Sequence, residues 1–231
     1  MFGSPKSTKN SYIGDMLKWR FDIINLLIDR CNAKKYLEIG VEDGDNINAI
    51  KCDLKHGVDP ASRNATHHQT SDEFFDMLRS DYKYNVVFVD GLHVADQAER
   101  DIVNALDHLH ADGYIVVHDC NPPTAWHQRS HDEARKTGFR KWNGDVYKAI
   151  VKLRATRNDI DVVVVDTDWG CGVIRKVAPD NARLLSNAKT NIEDIDYEWF
   201  AADRHRLLNL CAPDVFIDWL DNGDFASRKT D

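Results

Sequence analysis

Apolar and polar positions alternate along this chain in two rhythms. Over residues 11–31, Ile13, Met16, Leu17, Phe21, Ile24, Leu27 and Ile28 recur at helical spacing. "KKYLEIG" then reads as a short strand ending at a glycine, and "GDNINAIKCDL" as the start of a helix. "HGVDP" is a second short strand stopped at Pro60, because the residue before a proline is pushed out of the helical region. "TSDEFFDMLRS" opens on capping residues and reads as a helix, and "NVVFVDG" is a strand. Val94, Ala98, Ile102, Ala105, Leu106 and Leu109 form one helical stripe, followed by the strand "GYIVVHD". A polar stretch over 121–143 leads into the helix "DVYKAIVKLRA". "IDVVVVDTDWGCGVIRKV" reads as two strands around a turn, an antiparallel pair. Beyond residue 178 the chain is polar, with short helices expected near "DYEWFAADRHRLL" and "PDVFIDWL".

Strands alternating with helices predict an α/β fold. The expected architecture is a doubly wound, Rossmann-like, mostly parallel sheet with a C-terminal antiparallel strand pair. Residues 1–34 form an N-terminal helical segment, 35–178 the α/β domain, and 179–231 a helical extension packed on that domain. The length of 231 residues suits one core. A net charge of −8 argues against nucleic acid as a partner, which calls for a basic footprint. No apolar run is long enough to span a membrane, and "MFGSPKSTKNSY" lacks a signal-peptide core. Five scattered cysteines suit reduced thiols, so a cytoplasmic location is expected.

Such sheets bind ligands at the carboxyl ends of their strands. The first strand-to-helix turn, "YLEIGVEDGDN", holds Glu38, Gly40 and Gly44. Asp59 ends the second strand about 20 positions on, where an acid accepts hydrogen bonds from ribose hydroxyls. The alternative is an ordinary tight turn and a solvated acid. Glu42 and Asp43 inside the turn would repel a pyrophosphate, which disfavours a nicotinamide cofactor. Asp90 and Asp119 close two successive strands, and neighbouring strands lie about 4.8 Å apart. A divalent cation between them would relieve their repulsion, with Asn121 as a further oxygen donor and His118 as a nitrogen donor. The competing explanation is that Asp90 caps the next helix and Asp119 a turn. His93, beside Asp90, has the chemistry to accept a proton at neutral pH.

These stretches resemble class I S-adenosylmethionine-dependent methyltransferases over residues 35–125. "YLEIGVEDG" resembles their first motif, with Val41-Glu42 where the middle glycine usually stands. "TSDEFF", "VFVDGLH" and "DIVNALDHLHADGYIVVHDCNPP" resemble a narrower group, metal-dependent small-molecule O-methyltransferases of the macrocin and mycinamicin type. The resemblance implies that Glu38 and Gly40 flank the methionine moiety of S-adenosylmethionine, with Gly44 also in the cofactor site. It further implies that Asp59 holds the ribose, and that Ser71 and Asp72 lie near the adenine. It makes Asp90 and Asp119 Mg2+ ligands and His93 the general base, with Asn121 a candidate third ligand in place of the family's asparagine. One departure stands out: Cys120, a poor magnesium ligand, follows Asp119 where related catechol-type enzymes have asparagine. The acceptor is then a small hydroxylated molecule, sugar or natural product, and related enzymes are often dimers or larger. A metal-independent methyltransferase and a non-catalytic cofactor-binding domain stay open. The 121–144 stretch, with Trp126, His127, Arg129, His131, Arg135 and Trp142, is expected to act as a lid or substrate wall.

Overall fold

A computed structural model describes residues 13–138 and 141–222. The signal-peptide reading of residues 1–12 lies outside them, as do the ends of the proposed first and last segments. Seven strands form one sheet: β1 (Lys35–Ile39), β2 (Leu54–Val58), β3 (Tyr84–Val89), β4 (Leu109–Val117), β5 (Ile160–Val165), β6 (Cys171–Lys176) and β7 (Leu210–Cys211). Their order is β2-β1-β3-β4-β6-β5-β7. The first four pair in parallel, β6 runs antiparallel between β4 and β5, and β7 returns parallel to β5. The expected antiparallel pair is therefore β5–β6.

Because the sheet is covered on both faces, its central strands are apolar at nearly every position. On one face lie α3 (Ser71–Met77), α4 (Ala95–Asp107) and α6 (Tyr147–Thr156), through Phe74, Ile102 and Ile150. On the other lie α1 (Arg20–Arg30), through Ile24 and Leu27, and α9 (Pro213–Asn222), through Phe216 and Trp219. The short helices α2 (Asp45–Ala49), α5 (His131–Thr137), α7 (Tyr197–Ala202) and α8 (Arg204–Leu208) complete the layers. Phe200, Phe216 and Trp219 are fully buried in this chain's own core.

Two expectations change. The single helix over 11–31 breaks at residues 17–19, because the Asp22 carboxylate accepts from the backbone N–H of Lys18 (3.1 Å) and Trp19 (3.0 Å) and starts α1 afresh. The 121–143 stretch contains α5, opened by a reciprocal cap between Ser130 and Glu133.

The register sets the site. Ile39 pairs with Val89 and Val89 with Val117, so Gly40, Asp90 and His118 emerge in one row at the carboxyl edge. Asp119 comes one residue later. Successive strand side chains alternate in direction, yet Asp119 adopts φ +60° and leaves the extended pattern.

Candidate active site

Five non-glycine residues with left-handed backbone gather around this edge: Glu42 (φ +48°), His93 (φ +56°), Asp119 (φ +60°), Asp168 (φ +43°) and Trp169 (φ +66°). Such conformations cost on the order of 1 kcal/mol or more each and concentrate where a structure is built for function.

His93 sits between the two aspartates. Its Nε2 lies 3.0 Å from Asp90 Oδ1 and its Nδ1 3.0 Å from Asp119 Oδ2. His118 Nδ1 lies 3.3 Å from Asp90 Oδ1 and 3.4 Å from Asp119 Oδ2, and its Nε2 is 3.5 Å from Asp168. Arg20 completes the row, its guanidinium 3.2 Å from Asp168 and its backbone N–H donating to the same oxygen at 2.9 Å. Burial opposes charge on both imidazoles, but Asp119 and Asp90 outweigh it: His93 is raised to about 9, and His118 also rises. Burial likewise opposes the charge on Asp90 and Asp119, and the histidines outweigh it, holding both carboxyls low. Both imidazoles thus lie where they offset the expected repulsion between the carboxylates. Asp90 Oδ1 and His93 Nδ1 remain buried at ion-pair distance without a well-directed hydrogen bond.

Asp90 does not cap α4. The backbone N–H of Ala95 donates to Asp145 Oδ1 at 2.8 Å instead. Asn121 is turned elsewhere: its Nδ2 donates to Asp166 (3.0 Å) and its Oδ1 accepts from Arg204 (2.9 Å). The carboxamide at Asp119 belongs to Asn143, whose Nδ2 donates to Asp119 Oδ1 at 2.8 Å. Asp90, His93 and Asp119 offer donor atoms within 4.8 Å of one another, and His118, Asp168 and Cys171 form a second such group. Two carboxylates and an imidazole suit a divalent cation, provided His93 gives up its proton. The buried, poorly bonded Asp90 Oδ1 fits that use. Cys120 is fully buried, its thiol pushed up by burial, and it faces the carbonyl of Val117 at 3.3 Å.

Next to Asp90 lies the β1 turn. Glu38 is 1% exposed and accepts from Tyr36 Oη (2.5 Å) and Asn46 Nδ2 (2.7 Å), while its Oε1 has no partner among the described residues. Burial raises this carboxyl to about 7. Gly40 (φ +83°) is required by the chain itself, since a Cβ there would lie 2.1 Å from the carbonyl oxygen of Asp90. Both carboxylate oxygens of Asp59 accept from backbone. Val41 and Glu42 donate to Oδ2 at 3.0 Å each, and Ala61 (2.8 Å) and Ser62 (2.9 Å) donate to Oδ1. Gly44 packs on the Asn64 side chain, whose Nδ2 donates to the carbonyl of Asp43 at 2.6 Å. Asp59 and Asn64 therefore stitch the β1 and β2 turns together. Ser71 and Asp72 open α3 and accept from Gln97 of α4 at 3.2 Å each.

From the 121–144 stretch, Trp142 covers His93. The Trp142 ring meets the His93 ring edge-on, centroids 4.1 Å apart, and Arg129 stacks on Trp126 at 3.9 Å. The β5–β6 turn contributes Trp169, 5.5 Å from His127. His118 was legible as a strand-end donor, whereas Asn143, Asp168 and Trp169 were missed as site residues. The one available signal was the company they keep, in "WNGD" and "DTDWGCG".

Residues 37–120 match the family model described as "Methyltransferase domain". No curated protein matches the chain in sequence. Among solved structures, the SAH-bound methyltransferase PaMTH1 of Podospora anserina is similar at 17% identity and a TM-score of 0.52, covering 77% of this chain and 90% of its own. Cofactor-bound Rv0187 from MTB is similar at 12% identity and a TM-score of 0.50, covering 75% and 90%. Residues 37–120 thus match a methyltransferase domain, and the chain shares the fold of the solved methyltransferase PaMTH1. Among the described residues no helix is long and apolar enough to cross a membrane.

Proposed function

We propose that this protein transfers the methyl group of S-adenosylmethionine to a hydroxyl of a small molecule, of sugar or natural-product type, with help from a divalent cation. The observation that carries the reading is the packing of His93 between Asp90 and Asp119, one strand away from Glu38. The cofactor would lie along the carboxyl ends of β1 and β2. There Glu38 has an unpartnered oxygen for the ammonium group, and Gly40 and Gly44 shape the turn. The four amides on Asp59 make it the organiser of the ribose side of that crevice, with ribose hydroxyls sharing its oxygens. Ser71 and Asp72 at the start of α3 form the adenine side.

Methyl transfer is an in-line displacement, and the protein's main task is to align oxygen, carbon and sulfur. Asp90 and Asp119 would hold the cation, Mg2+ or Mn2+, with His93 beside it rather than bound to it. Bound there, it would supply positive charge between the carboxylates and acidify a hydroxyl beside it. His93, freed of its proton, stands ready to take the one the acceptor loses. Trp126, Trp142 and Trp169 offer flat faces for a sugar ring or planar acceptor.

A metal-independent transferase has one observation in its favour: His93, His118 and Arg20 already balance Asp90, Asp119 and Asp168. The two readings part on one experiment, methyl transfer from labelled S-adenosylmethionine to a panel of hydroxylated acceptors, with and without EDTA. Product that vanishes in EDTA and returns with Mg2+ or Mn2+ is expected. Product unaffected by EDTA would leave the metal-independent reading.

A further inference from the structure

Asn143 is fully buried, yet it comes from the covering stretch rather than from a strand. Its Nδ2 donates to Asp119 Oδ1 at 2.8 Å, and its backbone N–H donates to the His127 carbonyl at 2.8 Å. Its Oδ1 is buried without a hydrogen-bond partner among the described residues. A buried amide oxygen is costly to leave unpaired, so a ligand is the natural partner for it.

The placement is enforced by its neighbours. Gly144 (φ +63°) presses on the His93 carbonyl so closely that a Cβ would lie 1.8 Å from it. Asp145 donates its N–H to that same carbonyl at 3.3 Å and caps α4 through Ala95. Trp142 covers the His93 ring. "WNGD" is thus seated as a unit on the Asp90–His93–Asp119 group.

We propose that Asn143 belongs to the divalent-cation site, orienting Asp119 through Nδ2 and giving the cation's surroundings a hard oxygen through Oδ1. This rests on the cation reading above. It moves the carboxamide from Asn121, beside Asp119 in sequence, to a residue of the covering stretch, so that binding a cation and seating that stretch become one event.

The test is Mn2+ titration of the full-length protein by electron paramagnetic resonance, which reads free Mn2+ and needs no acceptor. Asn143→Ala is expected to weaken Mn2+ at least about tenfold, the cost usual for a group that supports a metal ligand. Asn121→Ala should leave the affinity unchanged. Asn143→Asp keeps an oxygen and adds charge, so it should bind Mn2+ at least as tightly as wild type. A purely structural Asn143 would make Asn143→Asp as damaging as Asn143→Ala, through repulsion by Asp119. That result overturns the proposal, as does unchanged affinity in Asn143→Ala or no binding of Mn2+ to wild type. S-adenosylhomocysteine titrated into the same samples keeps the outcomes apart: retained binding there leaves the methyltransferase reading intact when the Mn2+ result is negative.

Discussion

Glu38 lies in the core face of β1, yet one of its oxygens is left for a partner from outside. Its carboxyl rises from 4.5 to about 7 because it is buried. Between those values the folded protein keeps a proton that the unfolded chain has released. Stability therefore falls as pH rises through that window, by on the order of 3 kcal/mol once pH exceeds the folded value. Thermal melts of Glu38→Gln should lack this decline, and a slope equal to wild type would refute it. Asp59 behaves differently, since its four amide donors outweigh burial and hold its pKa low. Asp59→Asn puts an NH2 against backbone N–H groups and should cost about 2–4 kcal/mol in urea unfolding. A loss below about 0.5 kcal/mol would contradict the stitching role. Loss of cofactor binding in an Asp59 variant must then be read against its folding. Asp90, His93 and Asp119 were legible because an apolar strand run stops at each carboxylate. Asn143 was not, because a hydrogen bond across 24 positions leaves no local trace.

At the scale of elements, strand rhythm predicted the sheet well. β1, β3, β4 and the β5–β6 pair follow the apolar runs, since buried strands need apolar side chains on both faces. Helical rhythm predicted less at boundaries. The Asp22 carboxylate ended the 11–31 pattern at Trp19 through two backbone bonds, although the apolar spacing ran on unbroken. The covering stretch gave the least, because polar residues with α5 in their midst carry no period to read. Its seating depends on backbone geometry at Gly144. Gly144→Ala adds a Cβ against the His93 carbonyl in a left-handed conformation, which costs a few kcal/mol where the chain cannot move. The expected result is turnover lowered at least about tenfold, with S-adenosylhomocysteine affinity changed less than about threefold. Equal losses in both would show that the stretch supports the cofactor crevice as well.

The whole molecule places two chemistries side by side at one sheet edge. The β1–β2 side offers a buried acid and a stitched pair of turns, and the β3–β4 side offers carboxylates interleaved with imidazoles. The acidic residues Glu42 and Asp43 remain exposed in the first turn. They favour a ligand with a cationic centre over one with a pyrophosphate. That preference can be measured directly. Calorimetric titration of S-adenosylhomocysteine and, separately, of NAD into the purified protein decides it. Saturable S-adenosylhomocysteine binding with a micromolar Kd, and no heat from NAD, is the expected result. Absence of S-adenosylhomocysteine binding, or binding of NAD in its place, would contradict it.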